Sequence, residues 1–261
     1  MELKSLLRQT CEVVVTAGKI IVEHDKKPRH VMHKGKIDLL TETDLTVEKF
    51  LKANLRDVLP EADFLAEESS EGCAAGELTW IIDPVDGTTN FAHGLPITAT
   101  SVGLWQRDKV ILGVVNVPLI NECYTAAAGH GAWLNGQPIR VSRAQTLTDS
   151  LVATGFPYCL DEELEAILSR LKAVLPKTQG VRRCGVASVD LAWTACGRFD
   201  AFYETMLNPW DISAGWLLVE EAGGRVSHFD GEAQSLTGKQ ILATNGSVHE
   251  EMIKVLSEAG K

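Results

Sequence analysis

The chain has 261 residues, 45% of them apolar and 23% charged, enough to bury its own core and far from the composition of a disordered chain. Its formal net charge of −10 argues against wrapping nucleic acid or lying on anionic lipid. Six scattered cysteines (Cys11, Cys73, Cys123, Cys159, Cys184 and Cys196) include no Cys-x-x-Cys pair, which excludes zinc-finger and disulfide-framework spacings and reads as small buried hydrophobes in a reducing, cytoplasmic setting.

From the N-terminus, apolar positions at Leu3, Leu6, Leu7, Val14, Ala17, Ile20 and Ile21 form a helical stripe. Charges at Glu2, Lys4, Arg8 and Glu12 interrupt that stretch, so it is an amphipathic helix rather than a signal peptide. A polar segment, Lys26 to Lys36, precedes a second helix predicted from about Thr43 to Val58 and stopped by Pro60. Strands are predicted at Thr79–Asp83, Ala99–Gln106, Lys109–Asn116 and Glu122–Ala127, with Arg107-Asp108 and Asn135-Gly136 as short-turn signals that favour antiparallel hairpins. Val110 to Ile120 is the nearest approach to a membrane span, and Gly113, Asn116 and Pro118 break it.

After Ser142 strands and helices alternate. Leu151–Gly155, Ala201–Glu204 and Ile241–Thr244 read as strands. Glu162–Val174, Val186–Cys196, Ile212–Ala222 (closed by Gly223-Gly224) and Val248–Glu258 read as helices. That texture predicts a mostly parallel α/β half. The expected organisation is one compact unit of two joined halves with the active cleft between them. Residues 1–145 form an α+β half with an antiparallel sheet; residues 146–261 form an α/β half carrying Glu204 and Asp211.

Chemistry concentrates in four acidic segments. In Trp80-Ile-Ile-Asp-Pro-Val-Asp-Gly-Thr-Thr-Asn-Phe-Ala-His-Gly94 an apolar strand is expected to end at Asp83, and Asp86 follows one turn on. Two such carboxylates are costly to keep ionised together unless cations sit between them. Gly87, Thr88 and Thr89 open a helix, a natural cradle for phosphate. Bound divalent cations would also let an acidic protein accept a phosphorylated substrate. The second segment, Asn208-Pro-Trp-Asp-Ile-Ser-Ala-Gly…Gly224, starts a buried helix, where Asp211 reads either as a cap or as a carboxylate aimed at a metal; Glu220 and Glu221 read as solvated or structural. In the third, Phe64-Leu-Ala-Glu-Glu-Ser-Ser-Glu-Gly72, Glu67 follows a short apolar run, while Glu68 and Glu71 read as a solvated loop. In the fourth, Lys34 to Asp44, Asp38 and Asp44 could each be a cap or turn residue. His30 and His33 read as solvated, and His93 as shaping a turn.

Together, Asp83-Pro-Val-Asp-Gly-Thr-Thr-Asn-Phe and Trp210-Asp-Ile-Ser-Ala-Gly…Glu-Ala-Gly-Gly224 resemble the two signatures of the inositol monophosphatase family, the magnesium-dependent, lithium-sensitive phosphomonoesterases. Ala66-Glu-Glu-Ser69 and Lys34…Asp38-Leu-Leu-Thr-x-Thr-Asp44 match its upstream motifs in order and separation. The resemblance implies a layered α-β-α-β-α sandwich, shared with fructose-1,6-bisphosphatases, and a homodimer. It implies two to three Mg²⁺ ions per subunit. Glu67, Asp83 and the Val85 carbonyl would hold the first, Asp83, Asp86 and Asp211 the second, with a weaker third near Glu67. It further implies that Gly87 and Thr88 give backbone N–H groups to phosphate, and that Thr88, paired with Asp44, orients and deprotonates the attacking water. Glu204, with Asp86, would contact substrate hydroxyls; Ala187 and Asp211 would also line the substrate. Lys34, rather than Lys36, matches the family lysine by spacing.

The reading that follows is Mg²⁺-dependent hydrolysis of inositol monophosphate or a similar small polyol phosphate, with metal and carboxylate chemistry favouring Mg²⁺ over Zn²⁺. Fructose 1,6-bisphosphatase activity is the near alternative. In it Arg182 and Arg183 meet a second phosphate, against a surface patch or subunit contact as the simpler reading of that pair. A nucleotide 3′-phosphatase ranks lower because Asn90-Phe91 suits the inositol branch. A regulatory binding partner ranks lower because so many clustered carboxylates serve no purely structural end.

Overall fold

The computed structural model describes residues 2–27, 31–33, 39–70, 73–157 and 163–259. The expectations placed on His30, Lys34, Lys36, Asp38, Glu71 and Cys159 lie outside them. In chain order the elements are α1 (Leu3–Asp25), β1 (Val31–His33), β2 (Leu39–Thr41), α2 (Glu42–Val58), β3 (Asp63–Ala66), β4 (Leu78–Asp86), α3 (Thr88–His93), β5 (Ala99–Gln106), β6 (Lys109–Val117), β7 (Glu122–Ala127), β8 (Ala132–Leu134) and β9 (Gln137–Pro138). They continue with β10 (Leu151–Thr154), α4 (Leu164–Val174), β11 (Gly180–Arg182), α5 (Ala187–Ala195), β12 (Ala201–Thr205), α6 (Pro209–Glu221), β13 (Arg225–Ser227), β14 (Gln240–Thr244) and α7 (His249–Ala259).

Strands β3 to β9 form a seven-stranded sheet in sequence order, antiparallel except for the β3–β4 pair. Five further strands form a second sheet in the order β11-β10-β12-β14-β13. Three apolar layers join these sheets to the helices. The stripe Leu6, Val14, Ala17 and Ile21 of α1, with Val47, Leu51 and Leu55 of α2, packs on Trp80, Ile82, Val102 and Leu112 of the first sheet. Helices α5 and α6 bury nearly every face between the two sheets, through Val189, Leu191, Ile212, Ala214 and Leu218, as expected of helices apolar all round. Helices α4 and α7 cover the far side of the second sheet through Val174, Met252, Val255 and Leu256. The result is a layered α-β-α-β-α sandwich.

Two expectations change. Strand β4 does not stop at Asp83; it runs on to Asp86 across a bulge, with Asp83 opposite Ser101 and Asp86 opposite Ala99. One extra residue enters β4 between the two acids, and such a bulge re-aims side chains at the sheet end. The second sheet is mixed rather than mostly parallel. β10 pairs in parallel with β11 and β12, but β14 is antiparallel to both β12 and β13. The connection over residues 228–239 carries no helix of the kind that usually makes a parallel crossover, and it returns β14 antiparallel to β13.

Candidate active site

Acids from all four segments gather around one cleft. Glu67 follows β3, and its N–H bonds the Ile82 carbonyl at 3.1 Å, which sets it beside β4. Asp83 and Asp86 flank the bulge. Asp83 Oδ1 accepts the Val85 N–H at 3.1 Å, and the Pro84 carbonyl accepts the Thr100 hydroxyl at 2.9 Å, so the bulge is held from inside and from the next strand. Gly87 then caps α3 with φ +90°, and a Cβ there would lie 2.5 Å from Val186 Cγ2. Both conditions select glycine.

Asp44 and Asp211 share one device. Each is the third residue of its helix and the acidic half of a capping box, with Thr41 and Asn208 as the caps. Asp44 Oδ2 accepts the Thr41 N–H at 2.9 Å and Asp211 Oδ2 accepts the Asn208 N–H at 2.6 Å. Capping and function are therefore not alternatives here, because one oxygen fixes the helix start and the other remains for the site. Asp44 Oδ1 uses that freedom to accept the Thr88 hydroxyl at 3.0 Å. Thr88 Oγ1 is also 3.0 Å from the Val85 carbonyl, and its single proton serves one acceptor at a time.

The later elements add Ala187, which opens α5, Glu204 on β12 and Asp211 on α6. The Ser188 N–H donates to Asp86 Oδ2 at 2.8 Å and ties the start of α5 to the end of β4 at the site. Gly155 leaves room for Glu204, since a Cβ at Gly155 would stand 2.0 Å from Glu204 Oε2. Glu67, Asp83, Val85, Asp86, Gly87, Thr88, Ala187, Glu204 and Asp211 all line one cleft of about 160 Å³; Asp44 stands behind Thr88.

These acids are costly neighbours. Burial, then the charges of Glu67, Asp86 and Asp211, raises Asp83 well above the ordinary carboxylate range. Burial, then Asp86, does the same to Asp211, and burial, then Asp190 and Asp211, to Glu204. Asp86 is pushed up to about 6 by burial, opposed by its bond to Ser188. Among the described residues no three His, Cys, Asp or Glu side chains are already drawn into a ligand cluster; the acids face a shared space and repel. Kept ionised together, such a set calls for cations between its members.

Several contributors were not legible beforehand. Glu48 on α2 is buried. Its Oε2 accepts the Glu68 N–H at 2.9 Å, and its Oε1 accepts the Ser69 hydroxyl, so Glu48 holds the turn that carries Glu67. The available signal was its spacing four residues after Asp44 on one helix face. Glu68, read as a solvated loop residue, belongs to this held turn. Asp190 on α5 is buried, and burial pushes it up to about 8. Arg183 lines the cleft, with its guanidinium over the Phe156 ring, rather than lying only on an outer surface patch. His93 is exposed in the last turn of α3.

The sequence matches the inositol monophosphatase family over residues 2–261. The chain belongs to that family. It is 41% identical to inositol monophosphatase 3 of Solanum lycopersicum over 95% of this chain and 94% of that protein. It is 40% identical to the inositol-1-monophosphatase of Synechocystis sp. over 98% and 90%. In structure it is similar to the extragenic suppressor protein SuhB from Bartonella henselae, with a TM-score of 0.91 and 33% identity over 97% of this chain and 99% of that one. As a member of this family the chain is a phosphomonoesterase with the family's layered fold. No helix among the described residues is long and apolar enough to cross a membrane.

The donor set fits a hard divalent cation. It offers carboxylates and one backbone carbonyl, with no His or Cys among the described residues that line the cleft, and oxygen-only sites of this kind suit Mg²⁺.

Proposed function

We propose that the chain hydrolyses inositol monophosphate, or a similar small polyol phosphate, in a Mg²⁺-dependent reaction. The observation that carries this reading is the convergence of Glu67, Asp83, Asp86 and Asp211 on one cleft beside the α3 and α5 N-termini. Glu67, Asp83 and the Val85 carbonyl would hold one ion, Asp83, Asp86 and Asp211 a second, and Glu67 a weaker third. Bound there, Mg²⁺ would acidify water and neutralise charge on the phosphoryl group.

The chain's own groups do the positioning. The first N–H groups of α3 have no partner within their helix, so Gly87 and Thr88 can bind phosphate oxygens. Thr88, giving its proton to Asp44 Oδ1, presents a lone pair of Oγ1 to the attacking water. Glu204 and Asp86 accept hydroxyls of the polyol, and Ala187 packs beside them. Phosphate release from inositol 1-phosphate, required to need Mg²⁺, to vanish in EDTA and to fall with added Li⁺, tests the reading. No release from folded, Mg²⁺-supplied protein would reject it. The homodimer and the cytoplasmic location belong to the same proposal, and light scattering in solution checks the former.

Glu48 is a positioning residue in this scheme. Glu48→Gln is expected to raise the Mg²⁺ concentration needed for half-maximal rate by about 10- to 100-fold, the usual cost of losing a support behind a metal ligand, while saturating Mg²⁺ restores much of kcat. An unchanged Mg²⁺ dependence would show that the turn holds itself.

Arg183 gives the bisphosphate alternative a specific footing, because it is a cation lining the cleft. If it meets a second phosphate, Arg183→Ala lowers kcat/KM for fructose 1,6-bisphosphate about 10- to 100-fold more than for inositol 1-phosphate, the worth of one charge-assisted pair. Equal losses on both substrates would remove that alternative.

A further inference from the structure

A second pair of reactive side chains lies away from the phosphatase cleft. Cys11 of α1 and Cys123 of β7, 112 residues apart in sequence, bring their sulfurs to 3.7 Å. The pair sits on the outer face of the seven-stranded sheet, where α1 packs across β6 and β7. Both thiols are half-buried. Cys123 also lines a cleft of about 560 Å³ walled by Val15, Lys19, Asn116 and Asn135, so small solutes can reach the pair from solvent. Among the described residues none lines both this cleft and the catalytic one. Neither thiol touches substrate or a proposed metal ligand, so the phosphatase reaction leaves the pair unexplained.

A disulfide needs sulfurs about 2.05 Å apart on β-carbons about 3.8 Å apart. From 3.7 Å the sulfurs have about 1.7 Å left to close to reach bonding distance, a step on the scale of side-chain rotation. We propose that Cys11 and Cys123 are a redox-active pair that closes into a reversible disulfide under hydrogen peroxide, stapling α1 to the seven-stranded sheet.

The division of labour follows from their surroundings. The hydrogen bond with Cys123 holds the Cys11 thiol below its ordinary value, while that bond and burial push Cys123 well above its own. Either sulfur can donate that bond; where Cys123 donates it, Cys11 is the attacking thiolate. Its Sγ attacks one peroxide oxygen, the O–O bond breaks, and Cys11 becomes a sulfenic acid as the other oxygen leaves as hydroxide and is protonated to water. Cys123 then gives up its proton and its Sγ displaces hydroxide from the Cys11 sulfur, releasing a second water. Two thiols and one hydrogen peroxide become one disulfide and two waters.

The staple joins elements already in contact, so turnover is expected to stay unchanged while unfolding becomes harder. Closing so long a loop is expected to raise the thermal midpoint by about 10 °C. The test treats the folded full-length chain with hydrogen peroxide, blocks remaining thiols, and maps peptides without reduction by mass spectrometry. The expected result is a linked peptide pair carrying Cys11 and Cys123 that dithiothreitol separates. The midpoint shift should vanish in Cys11→Ser and in Cys123→Ser and persist in Cys184→Ser. A Cys11 driven to sulfinic acid without a link overturns the proposal, as does linkage confined to other cysteines or two thiols left unmodified. The wild-type map decides alone should either serine variant fail to fold.

Discussion

Asp83→Asn is expected to lower kcat/KM for phosphate release by about 10³-fold or more, the scale for removing a preorganised charge from a transition state of this kind. Asp83 is assigned to both principal ions, so its loss should exceed that of Glu67→Gln. The same substitution is expected to stabilise the metal-free protein, because it deletes a buried carboxyl that Glu67, Asp86 and Asp211 repel. Activity and stability therefore move in opposite directions, as for groups kept for function at a cost to the fold. Thermal melts in EDTA set beside turnover in Mg²⁺ check both halves. A variant that is merely misfolded would lose both, and one that kept full activity would remove Asp83 from the mechanism. Asp211→Asn should behave alike, since its carboxyl is likewise buried and raised by its neighbours.

The second large effect couples pH, metal and stability. A carboxyl whose pKa is raised by folding favours the folded state fully below its unfolded value, and that contribution is lost as pH rises through the folded value. The window opens near 3.8 and runs through about 6 for Asp86 and about 8 for Asp190, and Asp83, Asp211 and Glu204 are also raised well above the ordinary range by burial and neighbouring charges. In EDTA the melting temperature should therefore fall between pH 5 and pH 8. Mg²⁺ at about a hundred times its Kd should restore roughly 5–10 °C at pH 8 and far less at pH 5, where protons already occupy the acids. A metal-induced shift of equal size at both pH values would contradict the assignment of these carboxylates as the ligands.

Much of the site was legible because its signals are local. Asp83 and Glu67 each follow an apolar run that enters a sheet, and Gly87-Thr88-Thr89 opens a helix directly after Asp86. The order and spacing of the four segments then carried the family resemblance. What local pattern could not carry was contact between distant positions. The Asp86–Ser188 bond spans 102 residues and the Asp44–Thr88 bond spans 44, and the residues alone left Asp44 open as a cap. It proves to be a capping-box acid and a partner of Thr88 at once, because its two oxygens face different groups. Glu48 looked like any charged helix residue until the Glu67 turn was folded onto it. Arg183 read more simply as a surface residue because three residues of β11 and a glycine turn, not a periodic element, aim that segment toward the cleft.

The fold shows the same division. Long helices such as α1 and α2, and the β5–β6 hairpin around Arg107-Asp108, follow from periodicity and turn chemistry. Three-residue strands such as β11 and β13 are too short to show a period, and the mixed character of the second sheet comes from β14, antiparallel to both β12 and β13. The bulge in β4 was hidden because Pro84 and Val85 look like a strand end whether or not pairing resumes at Asp86.

The measurement that bears most directly on the central claim is the rate of phosphate release from inositol 1-phosphate against Mg²⁺ concentration, for wild type and Asp83→Asn in parallel. A saturable rise from zero in wild type, absent in the variant at every Mg²⁺ concentration, is the predicted result. Release that persists in EDTA, or a variant with an unaltered Mg²⁺ curve, would contradict the assignment of the acidic cleft as a metal-dependent phosphomonoesterase site.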